Sequence, residues 1–291
     1  MAETTGIAWT NATWNPVRGC ERVSEGCKKC YAEVLAARHS YKGGWGEGLA
    51  KYVTRPDGTK EARWTGVLKP VEKMIDAPLR WKKPRRVFVN SMSDLFHDKI
   101  RDAYIDLVFA VMAIAKQHTF QILTKRPERM QTYMVGLARS YNRLEAAARD
   151  ICYTLKYEDI PLVRWPIQNV WLGVSAEDQD TFDQRVELLG RTPAAMRFVS
   201  AEPFLGDIDI GNAFDDTDGE PTSKYGKLDW AIIGGESGSD YRPMDIEAAR
   251  AFIQQVKLMG GAMFVKQDSG PRPGMRGRFT DAEWALKEYP A

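Results

Sequence analysis

The sequence predicts an α/β protein built as a (β/α) barrel, complete or partly open, and two observations carry that expectation. From Arg85 onward, a short apolar or β-branched run, a polar cluster at its end and a helical stretch follow one another repeatedly. Near the N-terminus a loop with three cysteines follows a first apolar run. Short strands alternating with helices imply parallel pairing, because right-handed crossovers return each strand in the same direction. A doubly wound open sheet would use the same strands in another order, and order is not readable from one sequence.

Taken along the chain, a first strand is expected over Ile7 to Trp14, then the cysteine loop, then a helix from Tyr31 toward His39. Residues 43–66 are glycine-rich and lack clear periodicity, so the stretch near 40–66 reads as an inserted flexible segment or lid. Strands are expected at Arg86 to Ser91, leading to Ser93 and Asp94, and at Thr119 to Thr124, leading to Lys125 and Arg126. Val170 to Ser175 leads to Glu177 and Asp178, and Arg197 to Ser200 leads to Glu202. Trp230 to Gly235 leads to Glu236 and Ser237, and Ala262 to Lys266 leads to Gln267 and Asp268. Helices are expected over Ala103 to Lys116 and Ile246 to Leu258 by apolar periodicity.

Two further insertions stand out. Residues 133–165 open with a long helical stretch from Tyr133 to Tyr157, in which Cys152 sits among apolar neighbours and reads as core. Residues 207–227 form an acidic loop, with Asp215-Asp-Thr-Asp-Gly-Glu-Pro221, that lacks the ligand spacing of a calcium loop. In a parallel barrel all the polar clusters meet at the C-terminal mouth, where βα loops build active sites. The cysteine loop would open onto the same mouth.

At 291 residues, with 44% hydrophobic and 27% charged content, the chain reads as one globular domain over 1–291. No apolar run is long enough to cross a membrane, and Met1-Ala-Glu-Thr-Thr-Gly6 resembles neither a signal nor a transit peptide, so a cytoplasmic protein is expected. The net charge of +2 does not by itself argue for nucleic acid, but two local excesses exist. Arg80-Trp-Lys-Lys-Pro-Arg-Arg86 is one and Arg272-Pro-Gly-Met-Arg-Gly-Arg278 the other. The plain reading of each is a solvated surface. Trp45, Trp64 and Trp81 are candidates for stacking on a base.

Cys20, Cys27 and Cys30 are spaced Cys-x6-Cys-x2-Cys, with Tyr31 next. Three thiolates on one loop stop one ligand short of a closed tetrahedral site. An iron–sulfur cluster with one open iron, a zinc site completed by another residue and metal-free thiols all fit the spacing. Buried apolar cysteines fit poorly, since the intervening residues are Gly, Glu, Lys, Arg and Ser. The zinc reading has a concrete fourth ligand in His39, although at 1.5 Å per residue it would lie roughly 12 Å down the following helix.

The cysteine loop and the parallel body behind it resemble the radical S-adenosylmethionine (SAM) enzymes. The chain also resembles, over nearly its whole length, a family of phage and prophage proteins described as a domain of unknown function. The residues that carry this second resemblance are Trp14-Asn-Pro16, Gly19-Cys20, Gly26-Cys-Lys-Lys-Cys-Tyr31, Asn90-Ser-Met-Ser-Asp-Leu-Phe96 and Leu123-Thr-Lys-Arg-Pro127. Trp171-Leu-Gly-Val-Ser175, Ser200-Ala-Glu-Pro203 and Gly234-Gly-Glu-Ser237 extend it. The commonest radical SAM loop has three residues in its first gap, where this chain has six.

The resemblance implies a barrel of radical SAM type in which Cys20, Cys27 and Cys30 bind a [4Fe-4S] cluster whose fourth iron takes SAM. Reductive cleavage would then give a 5′-deoxyadenosyl radical that abstracts hydrogen from substrate. By the same analogy Tyr31 lies near the adenine, and Ser91, Ser93 and Asp94 bind the amino group or ribose hydroxyls. Lys125 or Arg126 would pair with the methionine carboxylate, and Ser175, Glu177, Glu202 and Glu236 would hold ribose or substrate. The implied partners are an electron donor such as flavodoxin or ferredoxin and, with basic segments near the mouth, DNA whose base is modified or repaired after extrusion, while a small-molecule or nucleotide substrate fits a near-neutral chain equally well. The rival reading is a zinc-stabilised, non-catalytic nucleic-acid-binding protein.

Overall fold

A computed structural model describes residues 5–140, 142–155, 165–211, 213 and 227–290. Its centre is one seven-stranded parallel sheet curled into a half-barrel, with strands in sequence order. The strands are β1 (Ala12–Trp14), β2 (Arg86–Val89), β3 (Thr119–Thr124), β4 (Val170–Ser175), β5 (Met196–Ala201), β6 (Trp230–Gly234) and β7 (Ala262–Gln267). Every neighbouring pair is parallel, and β1 and β7 are the edge strands. This order is that of a barrel, and the doubly wound alternative, whose order reverses at a switch point, does not apply.

The helices are α1 (Tyr31–Arg38), α2 (Asp102–Ile114), α3 (Pro127–Arg139), α4 (Asn142–Leu155), α5 (Gln179–Gly190), α6 (Ile246–Leu258) and the short α7 (Asp281–Trp284). Strand alternation separates two cores. Val87, Val89, Phe120, Ile122, Leu172, Val174 and Val265 point outward and pack with the helices. Phe88, Trp171, Phe198, Trp230, Ile232 and Phe264 point inward and fill the concave side. Trp9 joins this inner group, with its ring centroid 4.6 Å from Phe88 and 6.0 Å from Trp230. Tyr289 closes the same end against Trp230 and Phe264, beneath the Arg86 guanidinium.

Several expectations are corrected. The first strand is only Ala12–Trp14; Ile7 to Thr10 turns and carries Trp9 inside rather than extending the sheet. Residues 43–66 hold regular structure that the lack of periodicity concealed, because Ala50–Thr54 and Lys60–Trp64 pair as an antiparallel hairpin around Asp57-Gly58. The helical insertion is two helices, α3 and α4, the second packed on α2 and burying Cys152. Residues 156–164 and the acidic run 215–221 lie outside the described residues. The basic segment Arg80 to Arg86 lies at the amino end of β2, opposite the mouth, with Trp81 buried beneath Arg85. Among the described residues no helix is long and apolar enough to cross a membrane.

The inner core explains Gly173, since a Cβ there would sit 2.5 Å from the Phe198 ring. Gly173→Ala is therefore expected to lower stability by about 1–3 kcal/mol through overpacking. Urea unfolding should show a reduced midpoint with an unchanged slope; an unchanged midpoint would mean that the concave side is loosely filled.

Candidate functional site

The carboxyl ends of the strands surround a cavity of about 270 Å³. Cys20, Cys27 and Cys30 all line it, together with Tyr31, Ser91, Ser93, Asp94, Lys125, Arg126, Ser175, Glu202 and Glu236. Of the residues expected to hold the cluster, SAM or substrate polar groups, Glu177 alone is absent from the wall, and it stands fully buried behind the cysteine loop. His39 ends α1 against the rings of Tyr41 and Trp45 and does not reach the cavity.

The loop is held from three sides. Ser24 donates to Glu177 at 2.9 Å, and Glu177 in turn pairs with Lys125 and, at 3.0 Å, with Arg185. Gly26 passes so close to this carboxylate that a Cβ would lie 2.4 Å from it. Arg22 binds Glu33 of α1 at 2.9 Å and Glu61 of the hairpin at 2.8 Å, which draws the hairpin over the loop. On the third side Arg242 donates to the Glu25 carbonyl and pairs with Glu236 at 2.6 Å, while Lys29 reaches Glu236 at 3.6 Å.

Asp94 is committed to the protein rather than free for a ligand. Its oxygens accept from the Thr124 hydroxyl, the Phe96 and Lys125 backbone N–H groups and, at 3.2 Å, Arg126. Arg126 also donates to the Cys20 sulfur at 3.9 Å and to the Glu21 carbonyl. Ser91 exchanges hydrogen bonds with Asn15, and Ser93 donates to the Val17 carbonyl. Glu202 pairs with Lys266 at 2.7 Å and accepts from Ser200. Tyr31 is 50% exposed and donates to the Ser91 carbonyl.

Burial and Asp94 push the Cys20 thiol up to about 12, against the pull of Arg126. Burial also raises Cys30, although the Glu33 and Ala32 N–H groups at the start of α1 act the other way. The cysteines feel one another, Cys30 being coupled to both Cys20 and Cys27. Among the described residues no three His, Cys, Asp or Glu side chains are gathered tightly enough to hold a single metal ion.

Some participants carried no mark in the sequence reading. Arg185 and Arg242 become visible only through the carboxylates they pair with, and Lys266 only as the partner of Glu202. Trp9 and Asn90 also line the cavity. Asn90 had a signal, since it stands between an apolar strand and Ser91.

Burial alone would raise the Glu177 carboxyl, but Lys125, Arg185 and hydrogen bonds from Lys125 and Ser24 hold it down to about 2 from an ordinary 4.5. A depressed folded-state pKa stabilises the fold above the unfolded value, and the contribution is lost as pH falls from about 4.5 toward 2. Glu177→Gln should shrink that acid loss and, at neutral pH, cost about 3–5 kcal/mol by leaving Lys125 and Arg185 without their carboxylate. Urea unfolding between pH 2 and pH 7 measures both; an unaltered pH profile would count against the buried clasp.

Comparison with known proteins adds one result about kinship. Searches of curated proteins and of solved structures returned no match. A family model described as "Protein of unknown function (DUF5131)" matches residues 4–281. The cysteine loop, the seven strands and the cavity they enclose all fall within that span, and the chain belongs to this family, DUF5131.

Proposed function

We propose that this protein is a radical SAM enzyme in which Cys20, Cys27 and Cys30 hold a [4Fe-4S] cluster. The observation that carries the reading is that all three cysteines line one cavity at the carboxyl end of a parallel half-barrel. The donor set fits the group. A cluster gives each iron its own thiolate, so it asks for thiols spaced along a wall rather than gathered on one ion. All three thiols stand in one lining, as a cluster with one iron per thiolate requires.

When bound, the cluster and SAM would supply a strong hydrogen-abstracting radical on reduction. The chain's own groups bind, orient and shield. Arg126, fixed by Asp94, stands beside Cys20 and offers positive charge to a thiolate there. Tyr31 presents an exposed ring to the cavity for a flat heterocycle, adenine in this reading. The Glu202–Lys266 pair and Ser175 offer polar partners to ribose or substrate, while Glu177 acts only by holding the loop. The hairpin drawn over the loop by Arg22 helps exclude water from the cavity. As substrate we propose a nucleic-acid base, in the setting of phage DNA modification or repair, with a flavodoxin- or ferredoxin-type protein as electron donor.

Anaerobic reconstitution followed by iron, sulfide and zinc analysis tests the assignment. About four irons per chain and brown absorption are expected, lost in each of Cys20→Ala, Cys27→Ala and Cys30→Ala and retained in His39→Ala. A colourless chain holding one zinc, released by His39→Ala, would replace this reading with the zinc-stabilised one.

A further inference from the structure

We propose that Asn90, assisted by Trp9, reads the hydrogen-bonding edge of a nucleobase at the floor of the cavity. This deepens the proposed function and rests on its reading of the cavity as the substrate chamber. Asn90 directly follows β2, where Val87 and Val89 face the helices and Phe88 faces inward. Asn90 itself lines the cavity. Its side chain is 3% exposed, yet neither Nδ2 nor Oδ1 has a hydrogen-bond partner.

The backbone makes this placement more pointed. Asn90 has φ 62° and is the one non-glycine in the left-handed region among the described residues. Asparagine tolerates that region better than most side chains, but glycine would meet the backbone demand alone. A buried amide without partners carries a free-energy cost, and it is relieved by a ligand that offers both a donor and an acceptor.

Trp9 completes the floor. Its indole Nε1 is buried and unpartnered, and its ring leans on Phe88. Among the described residues, Asn90 and Trp9 are the cavity-lining side chains with buried polar atoms left unpaired. Carboxylates on the walls already have cations: Asp94 has Arg126, Glu202 has Lys266 and Glu236 has Arg242. A side-chain amide pairs bidentately with a base edge that sets an N–H beside an acceptor, as in uracil or adenine, and aromatic rings suit its faces.

The test is calorimetric binding of free bases to the full chain without SAM or reductant. 1-Methyluracil is compared with 1,3-dimethyluracil, and 9-methyladenine with N6,N6,9-trimethyladenine; the shared methyl occupies the sugar-bearing nitrogen, and the second member of each pair has the donor of the read edge blocked. At least one unblocked base is expected to bind tenfold or more tightly than its blocked counterpart. Asn90→Asp, nearly isosteric but lacking the amide donor, should lose most of that preference. Asn90→Gly, which keeps the backbone conformation, should abolish it, with circular dichroism reporting that both variants fold. Equal binding of unblocked and blocked bases, no binding of any base, or full discrimination by Asn90→Gly would each overturn the proposal. SAM cleavage is assayed separately, so a chain that discriminates bases without cleaving SAM sinks the radical reading alone, and the converse sinks this assignment alone.

Discussion

The site depends on one buried carboxylate. Glu177, placed just after β4, takes charge from Lys125 and Arg185 and a hydrogen bond from Ser24, and so ties the cysteine loop to the middle of the sheet. A carboxylate with no exposed surface is stable as an anion only when such partners surround it. Gly26 is the matching concession in the loop, because any side chain there would displace the carboxylate. Arg22 and Arg242 then fasten the loop's two flanks, one to α1 and the hairpin, the other to the segment after β6. The cysteines face the cavity because the loop between them has been tied down elsewhere.

The half-barrel makes a cavity possible at that point. Its concave side is packed by aromatic side chains from β2, β4, β5, β6 and β7, with Trp9 and Tyr289 near them. That filling closes the amino end and leaves free volume at the carboxyl end, where loops rather than strands determine the lining. A chamber with paired charges on its walls and three thiols in its lining suits chemistry from which water must be kept.

Most of the sheet was legible because buried parallel strands announce themselves as short apolar runs. Thr119 to Thr124 and Val170 to Ser175 match the observed strands residue for residue, and helix Ile246 to Leu258 does so as well. The hairpin at residues 50–64 was obscured by its glycine-rich approach, although Asp57-Gly58 between two alternating runs is a hairpin signal. Ile7 to Trp14 misled because apolar residues at a strand's entrance look the same whether they extend the sheet or, like Trp9, fold beneath it. The strand-end clusters do come together around one cavity, but sequence could not say which charges would be spent on each other. Asp94 with Arg126, and Glu177 with Lys125, are pairs that only the curl of the sheet brings together.

The central claim is that the three thiols equip this cavity for radical chemistry on SAM, and reduction in its presence tests that most directly. The reconstituted chain is treated anaerobically with dithionite and SAM, and the products are separated by chromatography. Formation of 5′-deoxyadenosine and methionine, dependent on reductant and absent in Cys27→Ala, is the predicted result. An iron-loaded chain that leaves SAM intact under these conditions would contradict the account.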